Sequence, residues 1–132
     1  MSEILAPVDA EAVVVLDLAT QYQLRSIETE VGTSLPDGPV PESFVKIRLM
    51  GGSATFISSR AMLTVECWSR DEVTAWDLAS LTVGLVDSLP ERLGICSGIT
   101  NVGEPVNQPD PDTATPRYVF TKVVHLRKKS IL

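Results

Sequence analysis

Two alternating stretches, SFVKIRLM at residues 43–50 and AMLTVECWS at residues 61–69, decide the fold of this chain. Side chains that alternate in this way over a short run are typical of a β-strand that buries one face. If the two stretches form a hairpin with Phe44 opposite Trp68, every pair on one face is apolar. These pairs are Val45 with Cys67, Ile47 with Val65, and Leu49 with Leu63. The pattern therefore predicts an antiparallel hairpin with one face buried under helices.

The opposite face of this hairpin carries an aromatic pair, a charge pair and a sulfur pair. In the same register they are Phe44 with Trp68, Lys46 with Glu66, and Met50 with Met62. Such a face is more apolar than the water-exposed side of a small monomeric sheet. We interpret these six residues as a subunit interface. The alternative is a terminal helix that folds over the same face.

Two helices flank the hairpin in sequence. The first is predicted over residues 9–24, with Asp9 as its N-cap and apolar residues at helical spacing. The second is predicted to open at Ser69, because Glu72 follows three residues later as in a capping box, and to end at Pro90 and Gly94. Its apolar positions cover much of its circumference, which indicates a largely covered helix. They are Trp76, Ala79, Val83 and Val86 in one stripe, with Leu78, Leu81, Leu85 and Leu89 beside it.

Further strand material lies at residues 95–106 and in RYVFTKVVHL at residues 117–126, which is apolar on both faces and therefore predicted to be central. A short strand over residues 27–31 is also possible in this pattern. Residues 51–60, GGSATFISSR, are predicted to connect the hairpin strands, with the glycines in the turn. The order predicts a single α+β domain over residues 1–132, with a small, mostly antiparallel sheet of about four to five strands packed on two helices.

A loop rich in proline precedes the predicted central strand. The stretch EPVNQPDPDTATPRYVF, residues 104–120, contains four prolines, each of which restricts the backbone and removes a hydrogen-bond donor. It is predicted to be a stiff surface connection, and connections of this length in a small domain are usually functional or disordered. The strand that follows favours a functional loop.

Composition and charge restrict the classes of function. A net charge of −6 disfavours a protein that grips nucleic acid by its phosphates. Two sparse cysteines predict no disulfide framework and fit a reducing cytoplasm. No stretch is long enough for a membrane span, and the acidic start lacks the basic region of a signal peptide. We expect an unexported protein without membrane contact.

No pattern in the sequence indicates catalysis, a metal or another cofactor. His125 is the single histidine and is interpreted as a packing or interface residue, because no nucleophile or further ligand is spaced to join it. Cys67 and Cys96 are interpreted as buried thiols. Asp110 and Asp112 are too few for a calcium loop and are assigned to a turn. The short basic segment LRKKS, residues 126–130, is assigned to a solvated end or to contact with an acidic neighbour. We expect a protein that is not an enzyme.

The order and spacing of three segments resemble a known family. PESFVKIRLMGG, the strand end TVECWS that runs into a capped helix, and GEPVNQPDPDTATPRYVFTKVVHLR are similar to the tail terminator, or tail completion, proteins of long-tailed, non-contractile bacteriophages, especially those of actinobacteria. The resemblance covers roughly residues 9–127. Its recurring features are an aromatic after a proline-rich loop, here Phe44, a GG connection, here Gly51 and Gly52, and the VECW strand end at residues 65–68.

The resemblance implies an assembly and a location. Proteins of this family are α+β subunits of a hexameric ring on the head-proximal end of the tail tube, where they stop tube polymerisation and present a surface to the head connector. The implied partners are therefore further copies of the chain, the tail tube protein and the head-closure or connector protein, and genomic DNA passes through the lumen without specific binding. The implied location is the head–tail junction of a virion that is made in the host cytoplasm.

An acidic lumen would let DNA slide without sticking, because fixed negative charge repels phosphate. The candidates for the ring face or the lumen are Glu104, Asp110 and Asp112 in the proline loop, with Glu28 and Glu30 after the first helix. Two alternatives remain open at the level of sequence. One is another neck protein, a head-closure or adaptor subunit, and the other is a small-molecule binding domain with a helix-on-sheet fold.

Overall fold

A long antiparallel hairpin forms the centre of the molecule. The computed structural model describes residues 3–39 and 41–131. In chain order the elements are β1 Ile4–Ala6, α1 Ala10–Leu24, β2 Glu30–Gly32, β3 Ser43–Ala54, β4 Ser58–Ser69, α2 Glu72–Asp87, α3 Leu89–Arg92, β5 Cys96–Asn101, β6 Val106–Asn107, β7 Arg117–Arg127 and β8 Lys129–Ile131.

The main sheet has the strand order β2-β3-β4-β7-β5, and β6 also pairs with β7. Only the β2–β3 pair is parallel; the other pairs are antiparallel. β1 and β8 form a separate two-stranded ribbon. The predicted α+β class is confirmed, and the sheet has six strands rather than four or five. The additional strand is β6, whose two residues lie in the proline-rich loop. The short strand that the sequence pattern allows over residues 27–31 is present as β2.

The predicted hairpin register is confirmed over most of its length. Phe44 faces Trp68, Lys46 faces Glu66, and the pairing runs on to Leu49 opposite Leu63. Alternation predicts this register well because a slip by one residue would turn the whole apolar set toward water.

The register then shifts, and the predicted pair of Met50 with Met62 is wrong. A β-bulge follows Leu49, and pairing resumes with Gly52 opposite Ala61. Gly51 and Gly52 have φ angles of 118° and 138°, and a Cβ on Gly52 would lie 1.9 Å from the Arg60 carbonyl oxygen. The two glycines therefore form the bulge and not the turn, because only glycine tolerates this backbone geometry and this close approach.

The helices cover one face of the sheet. Val14 and Leu18 of α1 are fully buried, and so is Ala79 of α2, in one core with the inward side chains of β3, β4 and β7. Inside this core the hydroxyl groups of Tyr22 and Thr82 are 2.5 Å apart, and Thr82 donates to the Leu78 carbonyl oxygen. Each buried hydroxyl thus has a hydrogen-bond partner, as burial requires.

The start of α1 is confirmed and the start of α2 is not. The Asp9 side chain accepts from the Ala12 amide, as an N-cap does. For α2 the cap is Asp71, whose carboxylate accepts from the Thr74 amide at 2.8 Å, while Ser69 is buried at the end of β4. Aspartate and serine are both good caps, and the strand continues too far for Ser69 to serve.

The far end of α2 and its apolar surface also differ from the prediction. α2 ends at Asp87, and Pro90 lies in the first turn of α3, where its missing amide costs nothing. Trp76 is 44% exposed and lies edge-on to Tyr118, with ring centres 5.4 Å apart. The buried face of α2 is instead formed by Ala75, Leu78, Ala79, Thr82, Leu85 and Val86.

β7 is central, as predicted, and contains a buried lysine. It lies between β4 on one side and β5 with β6 on the other. The Lys122 ammonium donates to the Asp87 carboxylate at 2.8 Å and to the Asn101 side chain. These partners compensate the charge, which could not remain buried alone.

Candidate interaction surfaces

The two aromatic residues that were predicted to form a subunit interface are already buried within one copy of the chain. Phe44 and Trp68 are each 3% exposed. The backbone at Gly32 lies beside the Phe44 ring, and the Arg117 guanidinium lies 5.0 Å from the centre of the Trp68 ring. Their assignment as interface residues is therefore wrong, because neighbouring segments of the same chain cover this end of the face. The Trp68 indole N–H has no hydrogen-bond partner among the described residues.

The charged centre of the same face forms a small ionic cluster. Glu66 lies 3.9 Å from the Lys46 ammonium and 3.1 Å from the Arg117 guanidinium. The predicted proximity of Lys46 and Glu66 is confirmed. Because Glu66 already has two cationic partners, the cluster stabilises the sheet, and its role in contact with another subunit stays a prediction.

The two methionines lie near the outer half of the hairpin. Met50 is 63% exposed and Met62 is half-buried. Both line an open depression of about 470 Å³ together with His125. The His125 Nε2 atom is 2.8 Å from the Thr100 hydroxyl oxygen. This arrangement agrees with a packing role for the histidine.

The hairpin turn carries two large apolar side chains that are mostly exposed to solvent. Phe56 is 77% exposed and Ile57 is 64% exposed. The turn is closed by the Thr55 amide, which donates to the Ser58 carbonyl oxygen at 2.8 Å, and by the two hydroxyls of these residues, also 2.8 Å apart. Tight turns normally carry glycine, proline, asparagine or aspartate. Phe and Ile here make no contribution to the core, so their exposure points to a contact outside the chain.

Positive charge surrounds this turn. Arg127 pairs with Ser58 across the sheet, Arg60 pairs with His125, and the Lys128 amide donates to the Ile57 carbonyl oxygen at 2.8 Å. Lys129 follows in β8. We call this surface, formed by Phe56, Ile57, Arg60, Arg127, Lys128 and Lys129, the basic tip. Sequence reasoning missed it, although the apolar pair FI between hydroxyl residues was a visible signal.

Negative charge gathers at the opposite end of the sheet. A groove of about 470 Å³ runs between the segment after α1 and the start of α2. Its apolar residues are Ile27, Leu78 and Leu81. Its charged residues are Glu28, Glu42, Asp71 and Asp77 with a single Arg70. We call it the acidic groove.

One carboxylate of the acidic groove is tied to the fold. The backbone amide and then the hydroxyl of Thr74 donate to Asp71 and lower the pKa of its carboxyl group. Asp71 is therefore ionised while it caps α2. Glu28 and Asp77 make no such hydrogen bond within the part of the chain that the structure describes, so they are available to a partner.

The proline-rich loop is held by its own hydrogen bonds. The Asp110 carboxylate accepts from the Thr113 amide at 2.9 Å and from its hydroxyl at 2.7 Å, and the hydroxyl bond in particular lowers the Asp110 pKa. The Ala114 amide donates back to the Asp110 carbonyl oxygen. The predicted turn is confirmed. Asp112 and Glu104 are exposed, and their position on a ring face or in a lumen stays a prediction.

Both cysteine side chains are buried, as predicted. Cys67 is fully buried, and burial raises the pKa of its thiol to about 12. Cys96 is 4% exposed, and burial also raises its pKa. Neither is a reactive thiolate at neutral pH. Across residues 3–39 and 41–131, no three potential metal-ligating side chains lie together.

No protein-family model matches the chain, and a search of curated proteins found no match. Within the described residues, no helix has both the length and the apolar content needed to cross a membrane.

Proposed function

We propose that this protein is the ring subunit that terminates the tail tube of a long-tailed, non-contractile bacteriophage. The observation that carries the proposal is the basic tip, a turn whose Phe56 and Ile57 side chains are mostly exposed among cationic residues. A surface of this kind supports contact with another protein subunit. The resemblance of residues 9–127 to tail terminator proteins supports the choice of assembly.

Part of the outer edge of β3 and one face of the sheet are available for such contacts. β2 covers the outer edge of β3 only from Phe44 to Lys46, and farther along the strand the Leu49 amide bonds to the Glu11 carboxylate. The helices pack on one face of the sheet and leave the other face to smaller contacts. A subunit with unlike ends can form the heterologous interfaces that close a cyclic ring.

Termination follows from a difference between the two flat sides of the ring. One side binds the last ring of the tube, and the opposite side lacks what the next tube subunit would bind. Growth then stops because no further subunit can add, and the free side is left for the head connector. The net charge of −6 per copy would keep a DNA channel through the ring from binding phosphate.

Deletion of the gene tests the proposal. Loss of a terminator leaves filled heads, and separate tails whose lengths vary widely and exceed the normal length, because the stop and the docking surface are lost together. Electron microscopy of the particles measures both. Tails of normal length that remain joined to heads would contradict the proposal. Separate tails of normal length would identify a head-closure or adaptor protein instead.

A small-molecule site has less support. The acidic groove and the depression at Met50 are open to solvent, and four of the twelve residues that line the groove are carboxylates of like charge. Binding sites for small ligands are usually deeper and combine apolar walls with a few convergent donors and acceptors.

A further inference from the structure

We propose that the basic tip of one copy of this chain inserts into the acidic groove of the next copy. This contact rests on the proposed function, because it would be the repeated interface of the ring. The partner is a second copy of this chain, and the anchors are Phe56 and Ile57 against the apolar residues of the groove.

The two surfaces lie at opposite ends of the hairpin. The acidic groove includes Ser43 and Ser69, the paired residues that begin β3 and end β4. The basic tip lies past Ala54, at the other end of the same two strands. Twelve residues of strand separate them, a length of about 40 Å at ~3.3 Å per residue. One copy cannot bring its own tip to its own groove, so the contact must join different copies head to tail.

The charges of the two surfaces are complementary. Of the 11 lysine and arginine residues, five form ion pairs, which leaves 11 − 5 = 6 without a carboxylate partner among the described residues. Four of those six belong to the basic tip: Arg60, Arg127, Lys128 and Lys129. None of the four carboxylates of the acidic groove is in an ion pair within the described chain. Four cations without a carboxylate partner thus lie at the tip, and four carboxylates outside any ion pair line the groove beside Arg70, an arrangement that suits two sides of one interface.

The apolar parts of the two surfaces also match. The anchors Phe56 and Ile57 project from a hairpin turn, while the groove presents Ile27, which is 38% exposed, beside Leu81, which is half-buried. An aromatic side chain that fills a pocket surrounded by charged residues is the usual form of a strong binding contact. The apolar turn also distinguishes this partner from nucleic acid, whose phosphates would be served by the cations alone.

Cross-linking between copies tests the contact. The natural cysteines are buried, so cysteines introduced as Ala54→Cys beside the turn and Ser26→Cys in the lining of the groove are the accessible thiols. Both positions leave the apolar anchors and the apolar residues of the groove unchanged. With a short bismaleimide, the double variant should give a ladder of dimers, trimers and larger species on a denaturing gel, ending at a closed ring. Each single variant should stop at a low level of dimer. A ladder no stronger than that of the control below would overturn the proposal.

The matched control pairs Ala54→Cys with Leu16→Cys. Leu16 is 71% exposed on α1 and lies outside the groove. It offers an equally accessible thiol in the wrong place, and circular dichroism would check that all variants are folded. This pair should yield only chance dimers.

Charge reversal distinguishes a contact that depends on pairing of opposite charges from one that apolar side chains form alone. On the Ala54→Cys and Ser26→Cys background, Glu28→Lys with Asp77→Lys should reduce the ladder about tenfold or more. A tenfold loss of binding corresponds to ~1.4 kcal/mol, and like charges that face each other across an interface cost more than this. Arg60→Glu with Lys128→Glu should have the same effect. Combining both reversals in one chain should restore the ladder. Failure of the combined variant to recover would overturn the electrostatic pairing.

The cross-linking experiment and the gene deletion test different proposals, so their failures can be distinguished. If the ladder fails while gene deletion still gives unjoined tails of abnormal length, the ring uses another contact and the function stands. If the ladder forms while deletion leaves joined particles of normal tail length, the contact stands and the tail function fails.

Discussion

At the scale of single residues, Gly52 allows the hairpin strands to pair again after the bulge. It has a positive φ angle, and an added Cβ would lie 1.9 Å from the Arg60 carbonyl oxygen, an atom of the backbone that cannot move aside cheaply. We expect Gly52→Ala to lower the free energy of unfolding by more than about 2 kcal/mol, because the strain of the backbone adds to the steric overlap. Urea denaturation measures this change.

Two other glycines provide the controls. Gly51 also has a positive φ angle but has open space where a Cβ would be placed, so Gly51→Ala should cost about 1–2 kcal/mol. Gly103 has neither constraint, and Gly103→Ala should change stability by less than about 0.5 kcal/mol. Equal stability of the Gly52 and Gly103 variants would show that the bulge is misplaced.

The carboxylate of Asp110 makes the proline loop sensitive to acid. Its pKa is lower in the folded chain than the usual value of about 3.9. The ionised form therefore stabilises the fold above the unfolded pKa, and this stabilisation is lost as the pH falls through the lower, folded pKa. Asp110→Asn should be less stable than the unchanged protein at pH 7, and the difference should shrink as the pH falls below about 4.

Thermal unfolding at several pH values measures this effect. Asp112→Asn is the control, because its side chain accepts no hydrogen bond within the described residues, and it should match the unchanged protein throughout. A difference between Asp110→Asn and the unchanged protein that stays constant from pH 7 to pH 3 would contradict the assignment.

At the scale of elements, the hairpin separates side chains that support the fold from those that are free for contacts. Phe44 is buried at its base and Phe56 is exposed at its turn. We expect Phe44→Ser to cost about 3–5 kcal/mol of stability. Phe56→Ser should change it by less than about 0.5 kcal/mol and should instead abolish assembly with other copies.

Chemical denaturation and light scattering over a range of concentrations measure the two effects. The pair of variants distinguishes the interface predicted from sequence, which included Phe44, from the interface indicated by exposure. Loss of stability in the Phe56 variant, or normal assembly by a folded Phe56 variant, would contradict this division.

The same hairpin shows how much of the fold could be predicted. Side-chain alternation restricts its register, because a slip by one residue would turn Val45, Ile47 and Val65 away from the helices. The matched pairs on the opposite face select among the registers that remain. The bulge does not follow, because two glycines after a strand are equally typical of a turn. The two-residue β6 within the proline loop carried no strand signal of its own.

The candidate site was less predictable than the fold. Phe44 and Trp68 lie on the face that does not meet the helices, and sequence alone does not show that Gly32 and Arg117 pack over them. The acidic groove is lined by residues that are distant in sequence, such as Ile27 and Asp77. It could not be predicted from the sequence, because it exists only in the folded chain, where the paired ends of β3 and β4 form part of its wall.

At the scale of the whole molecule, the separation of charge is the main property that bears on assembly. The basic tip and the acidic groove lie at opposite ends of one sheet, and the net charge of −6 conceals this arrangement. Unlike ends favour directional, head-to-tail contacts between copies. In the proposed function such contacts give a closed ring, and the two flat sides of that ring decide whether a tube can grow past it.

The proposed termination of the tail tube is tested most directly by the length of tail tubes that assemble in the presence of this protein. Purified tube subunits of the phage that the proposed function implies are allowed to polymerise with increasing amounts of the protein, and tube lengths are measured by electron microscopy. We predict that the mean length falls as the ratio of this protein to tube subunit rises, with a ring on one end of each tube. Tubes of unchanged length that carry no ring at any ratio would contradict the claim.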